Sequence, residues 1–227
     1  MTMNSTLQVQ RKRGRPRNDP SSPGSARSKL LRTGVAILTE KGFSAVGIEE
    51  ILSAASVPKG SFYHYFKSKD DFGLALIDAY ADYFARKLDH WFEAPGRAPL
   101  QRLADFVGDA REGMARHDFR RGCLVGNLGQ EMGVLAEPFR QRIAAVFTDW
   151  EMRTARCLRA AQAAGHIPQT VDCAQLAAFF WIGWEGAVLR AKLERRADAL
   201  EVFADGFFKQ LGAQPEAMGV GRCSRRS

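Results

Sequence analysis

The pentapeptide Ser56-Val57-Pro58-Lys59-Gly60 separates two short segments of helical periodicity, and that spacing constrains this chain more than any other feature. Upstream, "IEEILSAASV" sets Ile48, Ile51, Leu52 and Ala55 on one face of a short amphipathic helix. Downstream, Pro58 is preset for a first helical turn, and "KSKDD" closes the segment before residue 67 or so. An earlier helix, "SARSKLLRTGVAILTEKG", carries Leu30, Leu31, Ala36, Ile37 and Leu38 at helical spacing and stops at Gly42. Three short helices with a tight turn between the second and third have the spacing of a helix-turn-helix, whose last helix lies in a DNA major groove.

Helical geometry then sorts the aromatics of "VPKGSFYHYFKSK", residues 57 to 69. Phe62 and Phe66 lie within roughly 40° of each other on a helix, so both can face a core with Leu31, Val35, Ile48 and Ile51. Tyr63 and His64 stand about 100° and 200° round from Phe62, where a ring with a hydrogen-bonding edge can meet bases. Lys59, Gly60 and Ser61 occupy the first turn, where backbone can approach a duplex and a donor can reach a guanine edge. Tyr65 and Lys69 suit phosphate, the latter beside the free amides of the next helix. A buried Tyr-His-Tyr run flanked by lysines would need several internal hydrogen-bond partners, which argues against an all-core reading.

Charge points the same way. The 227 residues carry a net charge of +8, with 12 Lys and Arg against 4 Asp and Glu in residues 1–69 and 21 against 21 in the remainder. Such local excess is the electrostatic footprint of a polyanion partner. Residues 1–24 are rich in Pro, Gly and polar side chains and are expected to form a disordered basic arm. Its "KRGRPR" has the Arg-Gly-Arg-Pro core of an AT-hook, so Arg13 and Arg15 are candidates for an A·T-rich minor groove, with plain electrostatic tethering as the alternative.

Beyond residue 68 the expected architecture is entirely helical, about nine helices in all, with spans near 69–92, 98–116, 121–131, 137–164, 172–194 and 198–211. No segment reads as a strand, and residues 213–227 read as a disordered basic tail. The richest apolar stretch, "AAFFWIGW", ends after eight residues at Glu185, too short to span a bilayer. The N-terminus shows no apolar segment of secretory type, and cytoplasmic localisation, with association to DNA, is expected. Cys123, Cys157, Cys173 and Cys223 are widely spaced, without CxxC pairs or histidines at ligand spacing. Reduced thiols, no metal and no cofactor are expected.

The segment "GFSAVGIEEILSAASVPKGSFYHYFKSKDDFGLAL", residues 42 to 76, resembles the DNA-binding signature of TetR-type transcriptional regulators. That resemblance implies a helix-turn-helix domain over residues 25–68 and a ligand-binding and dimerisation domain over 69–212. It also implies major-groove contacts from Lys59, Gly60, Ser61, Tyr63 and His64, with phosphate contacts from Tyr65 and Lys69. Val46 and Gly47 depart from the hydroxyl residues often found there, so a capping side chain is expected to be missing from the second helix. Further downstream, "GCLVGNLGQEMG" and "FWIGWEGAVLRAKLE" resemble the acrylate-responsive AcuR type of these regulators, implying a repressor released by a small unsaturated acid.

Chemistry adds candidates for the inducer site. Cys123 and Asn127 are one turn apart, Arg120 and Arg121 offer cations to a carboxylate, and Trp181, Trp184 and Glu185 can line a cavity. A thiol near arginines could be activated, giving covalent electrophile or redox sensing through Cys123 as an alternative. A cysteine enzyme using Cys123 with His117 lacks an orienting partner or an oxyanion arrangement, so no enzyme activity is expected. Twofold reading of successive grooves calls for a homodimer on a palindromic operator. Phe180, Gly183, Ala187, Phe203 and Phe207, on the last two helices, are the expected interface.

Overall fold

The computed structural model describes Ser22 and residues 24–212. Arg13, Arg15, Cys223 and the 213–227 tail lie outside the described residues. Among the described residues the architecture is all-α: α1 (Ala26–Lys41), α2 (Ile48–Ala55), α3 (Lys59–Tyr65), α4 (Lys69–Phe92), α5 (Pro99–Ala115), α6 (Leu124–Gly129), α7 (Glu137–Ala163), α8 (Cys173–Glu194) and α9 (Asp198–Gln210). None of these helices is long and apolar enough to cross a membrane.

Helices α1 to α3 form a small bundle at one end. Ser25 Oγ caps α1 by accepting from the Ser28 amide at 3.1 Å, and Gly42 ends the helix at φ 84°. Helix α2 begins without a side-chain cap, because Gly47 stands at the capping position and Val46 is buried. Ser56 takes the left-handed conformation, φ 52°, which turns the chain toward Pro58 and α3. Phe62, Phe66 and Phe72 then close one aromatic cluster, with ring centroids 5.3, 5.3 and 4.9 Å apart. Phe72 belongs to α4, so the same cluster fixes this three-helix head to the long helix that enters the rest of the protein.

The larger bundle packs α7 on α4, α5 and α8, with α9 laid along α8. Trp150 and Trp181 meet at 4.8 Å in its centre, and the Trp181 indole donates to Thr154 Oγ1 at 2.9 Å. Helix α6 is shorter than its sequence suggests. Cys123 is extended there and caps the helix, its sulfur accepting from the Gly126 amide at 3.4 Å, while the Gly122 amide is drawn to the Thr39 carbonyl at 3.0 Å.

The residues expected at the dimer interface are used within the chain. Phe180 and Phe207 meet between α8 and α9, 5.1 Å apart, and Ala187 is buried as well. Gly183 lies against the Phe203 ring, where a Cβ would collide. The small residues of α8 thus accommodate α9 of the same chain. Outward from the two helices point Phe179, Ile182, Leu189, Leu193 and Val202 instead.

Candidate ligand cavity and DNA-reading surface

Between α4, the end of α5, the 116–123 stretch and α8 lies a cavity of about 240 Å³. Lys87, Arg116, His117 and Arg121 bring cationic or protonatable groups to it, and Tyr80, Cys123, Trp184 and Glu185 complete its wall. Asp118 and Phe119 both take left-handed backbone, φ 51° and 53°, which reverses the chain between His117 and Arg121. Sequence reasoning placed Arg121, Cys123, Trp184 and Glu185 together, and the fold does so. It missed Tyr80, Lys87 and the part His117 plays as a wall residue, since nothing in the spacing of α4 marks which of its faces meets α8.

The inner groups are acids whose charged forms burial disfavours. Burial pushes the Tyr80 hydroxyl and the Cys123 thiol well above their ordinary values, and the neighbouring Glu185 raises both further. Burial likewise pushes the Glu185 carboxyl up to about 7, against which a hydrogen bond with Cys123 acts. Cys123 is therefore not an activated thiolate: desolvation and the neighbouring Glu185 outweigh the hydrogen bonds from the Gly126 amide and Tyr80.

Three candidates leave the cavity. Arg120 turns to Glu40 on α1, 3.8 Å away. Trp181 is buried behind the wall, held by Thr154. Asn127 points to the C-terminal turn of α1, where its amide donates to the Leu38 and Thr39 carbonyls at 3.2 and 2.9 Å. The Lys192 ammonium donates to the same Thr39 carbonyl at 3.2 Å. One turn beyond Asn127, the Glu131 carboxylate accepts from the Phe43 and Ser44 amides at 2.8 and 2.7 Å. The turn at Gly42 has no room for a Cβ beside that carboxylate. The segment from Cys123 to Glu131 thus touches the cavity at one end and the three-helix head at the other.

On the head, Tyr63 is 53% exposed and edge-on to Phe62, while His64 and Lys59 are also exposed. Lys59 pairs with Glu49 of α2, a solvent-exposed bridge that phosphate or a base edge can replace. Gly60 meets open space, Ser61 and Tyr65 are half-buried, and the Lys69 ammonium sits 4.5 Å from the centre of the Phe43 ring.

Residues 30–76 match the family of bacterial regulatory proteins, tetR family, and residues 99–207 match the tetracyclin repressor-like C-terminal domain. The transcriptional regulator AcuR of Cereibacter sphaeroides is 58% identical over 196 residues, 86% of this chain and 89% of the relative. The chain belongs to the TetR family. A crystal structure of a TetR regulatory protein from Rhodobacter sphaeroides superposes with TM-score 0.79 at 59% identity, covering 80% of this chain and 96% of that one. The transcriptional repressor DhaR of a Mycobacterium species is 30% identical over 82% of this chain and 91% of its own length. Reduced NemR of Escherichia coli superposes with TM-score 0.75 at 27% identity, covering 81% and 95% of the two chains. This TetR-family protein is accordingly a transcriptional regulator rather than an enzyme.

Proposed function

We propose that the protein is a cytoplasmic homodimeric repressor that binds a palindromic operator and is released by acrylate or a closely related small unsaturated acid. The observation that carries this reading is the 58% identity to AcuR across nearly the whole chain, together with a small cavity walled by basic side chains. Residues 25–68 act as the DNA-binding unit and 69–212 as the ligand and dimer unit. Lys59, Gly60, Ser61, Tyr63 and His64 face the major groove, and Tyr65 and Lys69 hold phosphates.

The homodimer forms through the outward stripe of α8, in which Phe179, Ile182, Gly186, Leu189 and Leu193 repeat at alternating steps of three and four. Val202 of α9 extends the stripe. A second copy covers it with the same residues in a twofold arrangement. Arg121 and the other cations draw the inducer's carboxylate inward. Ligand at Cys123 and Glu185 then favours a different setting of the 123–131 segment, which Asn127 and Glu131 pass to the end of α1. Only such a difference in affinity between two settings can release DNA.

A gel-shift with the DNA flanking its own gene, titrated with acrylate and a panel of saturated and unsaturated short acids, tests the reading. Specific binding relieved by acrylate at lower concentrations than by propionate is the expected result. No relief by any unsaturated acid would overturn the inducer assignment, and equal affinity for random duplex would overturn the operator assignment. Lys69→Ala is expected to weaken binding to every duplex alike and to reduce the magnitude of the slope of log affinity against log salt by about one. An unchanged salt slope would remove Lys69 from the phosphate contacts.

A further inference from the structure

Glu185 is the single acid within "AAFFWIGWEGAV", the most apolar run of the chain. It projects into the cavity beside Cys123, so near α6 that Gly126 has no room for a side chain. No ion pair involves it among the described residues, and two of the cavity's cations already have other neighbours. Lys87 bridges to Asp109 at 2.6 Å, and Arg121 lies 3.4 Å from His117. An anionic inducer must therefore share a small space with a second carboxyl group that has no ion-pair partner of its own.

We propose that Glu185 receives the inducer as a neutral carboxylic acid, so that each molecule of the small acid enters the cavity with one proton taken from solvent. The inference rests on the small-acid reading above and assigns Glu185 as a specificity-determining residue. Two carboxylates crowded together do not both ionise, so a proton on Glu185 both removes the repulsion and supplies a donor to the ligand's oxygen. Sharing the cavity wall with Glu185 are Tyr80, Tyr83 and Lys87 from α4, Arg116, His117 and Arg121 from the stretch after α5, and Cys123. Helix α1 contributes only the uncharged Thr39. Tyr80 and Cys123 keep their own protons, and burial, opposed by the Cys123 hydrogen bond, brings the Glu185 carboxyl up to about 7, close to where the shared proton is needed. The device favours small acids over dianions, which bring a second charge that this proton does not offset.

Isothermal titration calorimetry of acrylate into the DNA-free full-length protein, at pH 6 and pH 8 in buffers of different ionisation enthalpy, counts the proton directly. Uptake of about one proton per site at pH 8 and almost none at pH 6 is expected, with affinity about tenfold weaker at pH 8. Glu185→Gln retains a donor but cannot titrate, so it should abolish the uptake and level the affinities. Because His117 lines the same cavity, the variant assigns the proton: undiminished uptake in Glu185→Gln overturns the proposal. Wild type binding acrylate at pH 8 with no uptake overturns it without any variant. Acrylate giving no binding heat, and no competition in the gel-shift, at either pH overturns the inducer reading and this inference together.

Discussion

Ile182→Glu is expected to leave the protein folded but monomeric, and to lower operator affinity by about a hundredfold or more. Ile182 is 74% exposed on the α8 stripe, next to Phe179 at 49%, with Leu189 at 43% and Leu193 at 74% further along. Fully burying one such side chain contributes about 1.5–3 kcal/mol, and a twofold interface counts every residue twice. The substitution removes two of those contributions and adds two carboxylates to an apolar surface, each costing several kcal/mol if buried without a partner. Separated protomers each read a half-site only, and the affinity that comes from joining two half-sites is lost. Sedimentation equilibrium and a gel-shift on the same preparation check both parts. Met152→Glu supplies the comparison, because Met152 is 57% exposed on α7 rather than on α8 or α9, and its substitution should change neither measurement. A dimeric Ile182→Glu would place the interface elsewhere.

What could be read from the chain depended on whether a signal was local. The start of α4 at Lys69 was legible because Ser68 caps it and two acids follow, and the structure shows the Ser68 hydroxyl accepting from the Asp71 amide at 3.0 Å. Glu185 was legible as an acid interrupting an apolar run. Asn127 was not, because one-turn spacing from Cys123 puts the two on neighbouring parts of α6 without saying that α1 would arrive to take the amide. Glu131 was invisible for the same reason: its partners, the amides of Phe43 and Ser44, are 88 and 87 residues away. The α8 face was misread because small residues mark a close helix neighbour, not whether that neighbour belongs to the same chain. Phe180 and Phe207, 5.1 Å apart, show that it does.

Adjacent rings on α3 should give opposite signatures, which makes the pair Phe62→Ala and Tyr63→Ala the sharpest test of how the reading head works. Phe62 is fully buried and touches Phe66 and Phe72 at 5.3 Å, so its truncation opens a cavity at the joint between α3 and α4. A loss of about 3–5 kcal/mol is expected, a large part of what holds a typical domain together. Because the head is small and joined to the larger bundle chiefly through α1 and α4, that loss should appear as early unfolding of α1 to α3, visible as fast amide exchange there. Tyr63 is 53% exposed and only its inner edge meets Phe62. Tyr63→Ala should change stability by less than about 0.5 kcal/mol, yet lower specific binding by about 1–3 kcal/mol while nonspecific binding hardly moves. The reason is directional: one helical step of about 100° carries a side chain from the core to the groove. If Tyr63→Ala instead melted the head, or lowered random-duplex binding as much as operator binding, α3 would not be presenting that face to bases.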